Sequence, residues 1–238
     1  AFSLYAVIAL STAILAHLGL LFYIPLTLVP VWALRTGLDY QARMYEHYYE
    51  TVSALSLMLQ RAHPYTHGHL ERVAEDAEEV AARLGLSPER ARLVREAAVL
   101  HDIGKIAVSE EILDKPAKLT DEEMAHVRQH SEMGAKILTP VKQFHEMVPW
   151  ILHHHERPDG KGYPNRLTDV EIPIESKIIA VVDAFDAMTG GEAPGDKRSY
   201  REPMSVYEAL AELERCSGTQ FDPKVVAAFR EVILEDAS

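Results

Sequence analysis

The chain has 238 residues, 47% of them hydrophobic and 25% charged, enough for one sizeable packed domain with an appendage. A net charge of −12 excludes a general binder of nucleic-acid polymers, which would carry a basic face, but leaves room for an anionic small molecule held by local cations or metals. The single cysteine, Cys216, excludes an internal disulfide framework and fits a reducing compartment.

Residues 1–34 carry no formally charged side chain before Arg35. Phe2 to Tyr23 supplies the roughly 20 apolar residues that a transmembrane helix needs, and Pro25 and Pro30 are expected to break any longer helix. Tyr23 and Trp32 suit an interface. A signal peptide fits poorly, because a basic leading region and a small-residue cleavage site are both missing. A buried core helix is the other alternative. A chain beginning at Ala1 fits a fragment of something longer. Arg35 and Arg43 are the first positive charges after this segment. The positive-inside rule then places the residues beyond them in the cytoplasm, with residues 1–34 expected in the membrane.

Residues 35–62 form a linker and a first amphipathic helix. Tyr45, Tyr48, Val52, Leu55 and Leu59 repeat at 3-4-3-4 spacing. That pattern is read either as the seam of a homodimeric coiled coil or as a helix packing on its own domain.

Residues 63–238 carry the punctuation of a helix bundle, so the fold is expected to be all-α. Val73, Ala77, Val80, Ala81 and Leu84 make one apolar stripe, ended by Gly85. Ser87-Pro88 offers an N-cap with proline at the first helical position. Thr120 with Glu123, and Ser205 with Glu208, have capping-box spacing. Asp222-Pro223 opens a last helix. GGEAPGD, at 190–196, reads as a loop.

The twelve histidines cluster around short motifs. His101-Asp102 closes the apolar helix REAAVLHDIGK, and a carboxylate there needs a partner or a metal. His69 lies on the preceding helix, His130 on the next, and His154-His155 near the end of another. Asp183 sits inside the apolar run IIAVVDAFDAM, where an unpaired carboxylate would be costly. Six or seven nitrogen and oxygen ligands from five helices suit a dinuclear iron or manganese site. With no cysteine among them, the set does not suit a structural zinc finger.

HDIGK, the following LDKPAKLTDEE, and HHHERPDGKGYP together resemble the HD-GYP family of metal-dependent phosphodiesterases, over roughly residues 45–235. The resemblance implies a five-to-seven-helix domain of the HD type that hydrolyses cyclic di-GMP with two or three metals. It assigns His69, His101, Asp102, His130, His154, His155 and Asp183 as metal ligands, with Asp102 as the bridging carboxylate. Lys105 matches the family's phosphate-contacting lysine. KRSYR at 197–201 is similar to the family's DRPYR, which makes Arg198 and Arg201 candidate phosphate or guanine contacts.

Departures from the pattern also matter. The glutamate that accompanies a third metal is replaced by Tyr65, so two metals are expected, and His67 is an extra imidazole just outside the ligand set. Glu156 is expected to orient a ligand imidazole or to pair with an arginine. The turn from Arg157 to Pro164 would set Tyr163 and Lys161 at the lip of the cleft. There they would meet substrate or a partner such as a cyclic di-GMP synthase domain of the GGDEF type. Two metals would answer the chemistry, since they generate hydroxide near neutral pH and neutralise phosphate oxygens. Lys105 and the arginines would then hold the non-bridging oxygens. The product is expected to be pGpG, with GMP as a further step. An HD-type phosphohydrolase for another cyclic dinucleotide or a nucleotide, and a non-catalytic receptor, are the competing readings.

Overall fold

In the computed structural model, residues 2–20, 23–61, 68–115, 117–190 and 203–236 are described. Tyr65, His67, Arg198 and Arg201 lie outside them. The chain divides into two compact units, residues 1–51 and 52–238. Among the described residues the secondary structure is helical, with two isolated bridges, Asp159–Thr168 and Ser217–Phe221.

In the first unit, α1 spans Phe2–His17 and α2 begins at Ile24, running to Arg61. The single span expected from Phe2 to Tyr23 is not formed. Gly19 takes a φ of +72° and the N–H of Leu20 returns to the carbonyl of Leu15, a glycine-closed helix end. α2 passes through Pro30 rather than stopping at it. Pro25 stands in the first turn, where an amide has no intrahelical acceptor, so only Pro30 forgoes a helical bond. Among the described residues no helix is long and apolar enough to cross a membrane. Along the expected seam Tyr45, Val52 and Leu59 are half-buried, while Tyr48 and Leu55 are exposed.

The second unit is built on α3 (His69–Arg83), α4 (Pro88–Leu100), α5 (Glu110–Leu113), α6 (Asp121–Arg128), α7 (His130–Leu138), α8 (Val148–Leu152), α9 (Ile174–Thr189), α10 (Val206–Arg215) and α11 (Pro223–Asp236). α3 packs on α4, α9 and α11, and α9 also meets α8 and α10. Val73, Ala77, Val80, Val94, Leu100, Ile178, Ile179, Val182 and Phe229 are withdrawn from water in the resulting core. Burying a side chain the size of valine, leucine, isoleucine or phenylalanine stabilises the fold by about 1.5–3 kcal/mol.

The helix starts follow from their caps. Ser87 accepts from the Arg90 amide, and both expected capping boxes form, Thr120 with Glu123 and Ser205 with Glu208. Asp222 accepts from the amides of Lys224 and Val225 at the start of α11.

Two glycines permit backbones to touch where the functional side chains meet. Gly104 lies in the short 3-10 helix Ile103–Ala107, directly after His101-Asp102. A Cβ on it would fall 1.9 Å from the His130 carbonyl oxygen and 2.5 Å from the Gly134 nitrogen. Only glycine lets the HDIGK turn rest on α7 and set Asp102 beside His130. Gly104→Ala should therefore destabilise the second unit by roughly 3 kcal/mol. Chemical denaturation against wild type measures this, and an unchanged midpoint would contradict the packing described.

Candidate metal centre

Three of the imidazoles expected as ligands are aimed by their own backbone. The Nδ1 of His101 donates to the Ala98 carbonyl at 2.6 Å, that of His130 to Val127 at 2.8 Å, and that of His154 to Ile151 at 2.6 Å. In all three the acceptor lies three residues earlier, so one local geometry repeats. Holding the proton on Nδ1 turns the Nε2 lone pair inward, the tautomer that a metal requires.

His69 is held differently. Its Nδ1 meets Asp186 at 2.6 Å, and Arg72 donates to the same carboxylate from Nε at 2.6 Å. Its Nε2 then faces Asp183 at 3.6 Å. Neither Asp186 nor Arg72 stands out by residue type alone. The signal was spacing: Asp183 and Asp186 are three apart on α9, and His69 and Arg72 three apart on α3, so each pair shares a helix face.

The ligand atoms converge. His69, His101 and Asp183 offer atoms within 4.8 Å of one another, and so do His130, His154 and His155, and His101, Asp102 and His154. Asp102 joins the sets, with one oxygen 3.4 Å from His101 Nε2 and the other 3.4 Å from His130 Nε2. All seven residues expected as ligands therefore lie in one place. Lys105 pairs its ammonium with Asp102.

Whether a cation fits can be judged from His101. Its Nε2 is buried without a hydrogen-bond partner, and Asp102 and Asp183 stand 3.4 and 3.7 Å away. Those gaps are too long for good hydrogen bonds and leave room for an ion between nitrogen and oxygen. His130 Nε2 and His154 Nε2 likewise face each other at 3.3 Å. The donor set is nitrogen and carboxylate oxygen, suited to a divalent transition metal.

The charges are arranged accordingly. Burial alone would raise Asp102, but Lys105, His101 and His130 hold it well below the usual carboxylate range. Burial lowers His101, yet the Asp102 carboxylate, with Asp183 and the Ala98 carbonyl, outweighs it and raises the imidazole to about 9. Burial, reinforced by neighbouring imidazoles, lowers His154 well below its ordinary value and His155 to about 3. His130 is also lowered by burial, against the pull of Asp102.

A cleft of about 690 Å³ opens onto His154, His155 and Asp183. Its rim is the turn after the histidines. A Cβ on Gly162 would lie 2.5 Å from both the Arg157 nitrogen and the Glu156 Cα, so the turn folds flat on itself only with glycine there. Tyr163 stacks on His155 with ring centroids 4.8 Å apart, and the Arg128 guanidinium covers the tyrosine at 5.4 Å. Lys161 lines the same rim, exposed.

Glu156 takes neither of its expected roles. It is buried, and its oxygens accept from the amides of Asn165 and Leu167, so it shapes the rim instead of a ligand. His153 points away from the ligand set, toward Asn165. The cleft also gathers cations that sequence reasoning did not single out, Arg128 and Arg166. They come from separate loops and helices and carry no shared motif.

The sequence matches the family model described as HD domain over residues 52–225. The chain belongs to this family. Over 205 residues it is 37% identical to a cyclic di-GMP phosphodiesterase of Thermotoga maritima, a match covering 84% of this chain and 54% of that protein. It is 40% identical over 172 residues to a 3'3'-cGAMP-specific phosphodiesterase of Vibrio cholerae, covering 71% of this chain and 31% of that one. Among solved structures, an HDG"Y"P protein from Bdellovibrio bacteriovorus matches with a TM-score of 0.58 at 17% identity, over 79% of this chain and 63% of that one. At that identity the likeness speaks for the HD fold alone. The chain spans about half the length of the first curated relatives it matches.

Two outcomes test the centre. Asp186→Asn keeps the shape of the His69 partner but weakens its grip, and should lower affinity for a divalent ion about 10- to 100-fold. Manganese titration of the metal-free protein measures it, and unchanged affinity would show that Asp186 does not support the ligand. The second outcome concerns pH. His101 must shed a proton to offer Nε2, whereas His154 and His155 are already neutral near pH 7. Apparent affinity should therefore rise by about tenfold per pH unit between pH 6.5 and about 9, then level off. A flat profile across that window would contradict the Asp102–His101 coupling.

Proposed function

We propose that this chain is a metal-dependent phosphodiesterase that hydrolyses cyclic di-GMP to linear pGpG, and onward to GMP. The observation that carries this reading is the position of Asp102, whose two oxygens face two separate imidazole groups. A single-ion site needs no such carboxylate, whereas a pair of ions needs one that both can share.

Two divalent ions, iron or manganese, suit the ligands present. His69, His101 and Asp183 would hold one, His130, His154 and His155 the other, with Asp102 shared between them. When bound, such a pair supplies Lewis-acid activation of water and neutralises the oxygens of a phosphodiester.

The remaining work falls to the chain's own side chains. Lys105, paired with Asp102, carries an ammonium suited to a non-bridging phosphate oxygen. Tyr163, stacked on His155, closes one side of the ligand group and narrows the entrance. The cations of the rim draw an anion into a chain whose net charge is −12. Arg198 and Arg201 are proposed as further substrate contacts, as the family motif implies.

Relatives named for cyclic di-GMP and for 3'3'-cGAMP are about equally similar to this chain. A metal centre acts on the phosphodiester and does not read the base, so the second nucleotide is chosen elsewhere in the cleft. Cyclic di-GMP is the proposed substrate because HHHERPDGKGYP and HDIGK together follow the family that hydrolyses it. In the same reading the exposed apolar side chains within residues 1–34, among them Val7, Leu10 and Trp32, associate with the bacterial inner membrane. The catalytic unit then stands on the cytoplasmic side, and the seam along α2 pairs two copies.

The test is hydrolysis of cyclic di-GMP and of 3'3'-cGAMP by the manganese- or iron-loaded protein, with Asp102→Ala as control. Wild type should produce pGpG, and the variant should fall to background while remaining folded. Turnover undiminished in Asp102→Ala would overturn the shared-carboxylate reading. Full metal loading with turnover of 3'3'-cGAMP alone would reassign the substrate.

A further inference from the structure

Arg166 has a φ of +57° and is the non-glycine residue with positive φ among the described residues. An L-amino acid with a long side chain pays a steric cost there that glycine avoids, and asparagine largely so. The turn itself would be better served by either. Retaining arginine at such a position points to work done by its side chain.

The backbone around it is clamped. The amides on either side, Asn165 and Leu167, donate to the two oxygens of Glu156 at 2.6 and 2.9 Å. Glu156 is buried, and a buried carboxylate accepting two amide hydrogens is a firm anchor. One buried side chain therefore fixes both neighbours of Arg166, which lines the cleft that reaches His154, His155 and Asp183.

Among the cations of that cleft, Arg166 is the least committed. Arg157 is paired bidentately with Asp159, at 3.0 and 2.7 Å. Lys161 stands 4.0 Å from the same carboxylate, and Arg128 lies over Tyr163. No carboxylate or ring partner meets the Arg166 guanidinium among the described residues. A fixed backbone and an unpaired fork of donors are what recognition of an oxyanion requires.

A cyclic dinucleotide contains two phosphodiesters. The ligand group can face only one at a time, and the other enters the cleft as a second negative charge. We propose that Arg166 binds the second, non-scissile phosphodiester of the bound cyclic dinucleotide and so sets the preference for two-phosphate substrates. This rests on the proposed function, a phosphodiesterase for cyclic dinucleotides.

The experiment compares KM and kcat of wild type, Arg166→Gly and Arg166→Lys on cyclic di-GMP, on 3'3'-cGAMP and on bis(p-nitrophenyl) phosphate, which has a single phosphodiester. Arg166→Gly should melt at or above the wild-type temperature, because glycine relieves the positive φ. Arg166→Asn serves as a second variant that tolerates the same backbone. The expected result is a KM for the cyclic dinucleotide raised about tenfold, a much smaller rise for the one-phosphate substrate, and partial recovery in Arg166→Lys. An unchanged KM, or equal rises on both kinds of substrate, would overturn the inference while wild-type turnover leaves the proposed function standing. Wild type that cleaves bis(p-nitrophenyl) phosphate but neither cyclic dinucleotide overturns the proposed function, and this inference with it.

Discussion

A carboxylate placed inside a helix bundle needs partners, and Asp102 is met from two directions at once. His101 faces one oxygen and His130 the other, while Lys105 reaches in from the side. Gathering seven ionisable side chains in and beside a helix-bundle core is costly unless something binds them together. Protons do part of that work, as the raised His101 shows, but His154 and His155 refuse theirs. The group is balanced for a divalent cation rather than for itself.

The helices supply that balance with little local irregularity. Three of the imidazoles use one device, an Nδ1 donating to the carbonyl three residues back, so the helix end itself selects the tautomer. His69, at the start of α3, takes Asp186 instead, with Arg72 stabilising the carboxylate. Glycines appear where backbones have to touch. Gly104 brings the HDIGK turn onto α7, and Gly162 folds the rim of the cleft. The two motifs that mark the sequence are therefore steric devices as much as chemical ones.

Much of this was legible in the residues. The caps at Ser87, Thr120, Ser205 and Asp222 are local hydrogen-bonding patterns, and they form where their spacing placed them. The ligand group was legible because histidines and buried carboxylates are costly in apolar helices and betray a shared partner. What was illegible depended on contacts across the fold. Glu156 looked like a support for an imidazole, yet its amide partners lie nine and eleven residues on, in a turn whose course the sequence does not reveal. Arg166 carries no signal at all until its φ is known. In the first unit the prolines do not set the helix ends. Gly19 ended α1, while Pro30 was absorbed within α2.

The central claim is that Asp102 joins two half-sites into one dinuclear centre. Electron paramagnetic resonance of the fully manganese-loaded protein tests it most directly, since ions sharing a carboxylate couple their spins. The account predicts two manganese ions per chain and the broad multiline spectrum of a coupled pair. A six-line spectrum of isolated ions at full loading would contradict it.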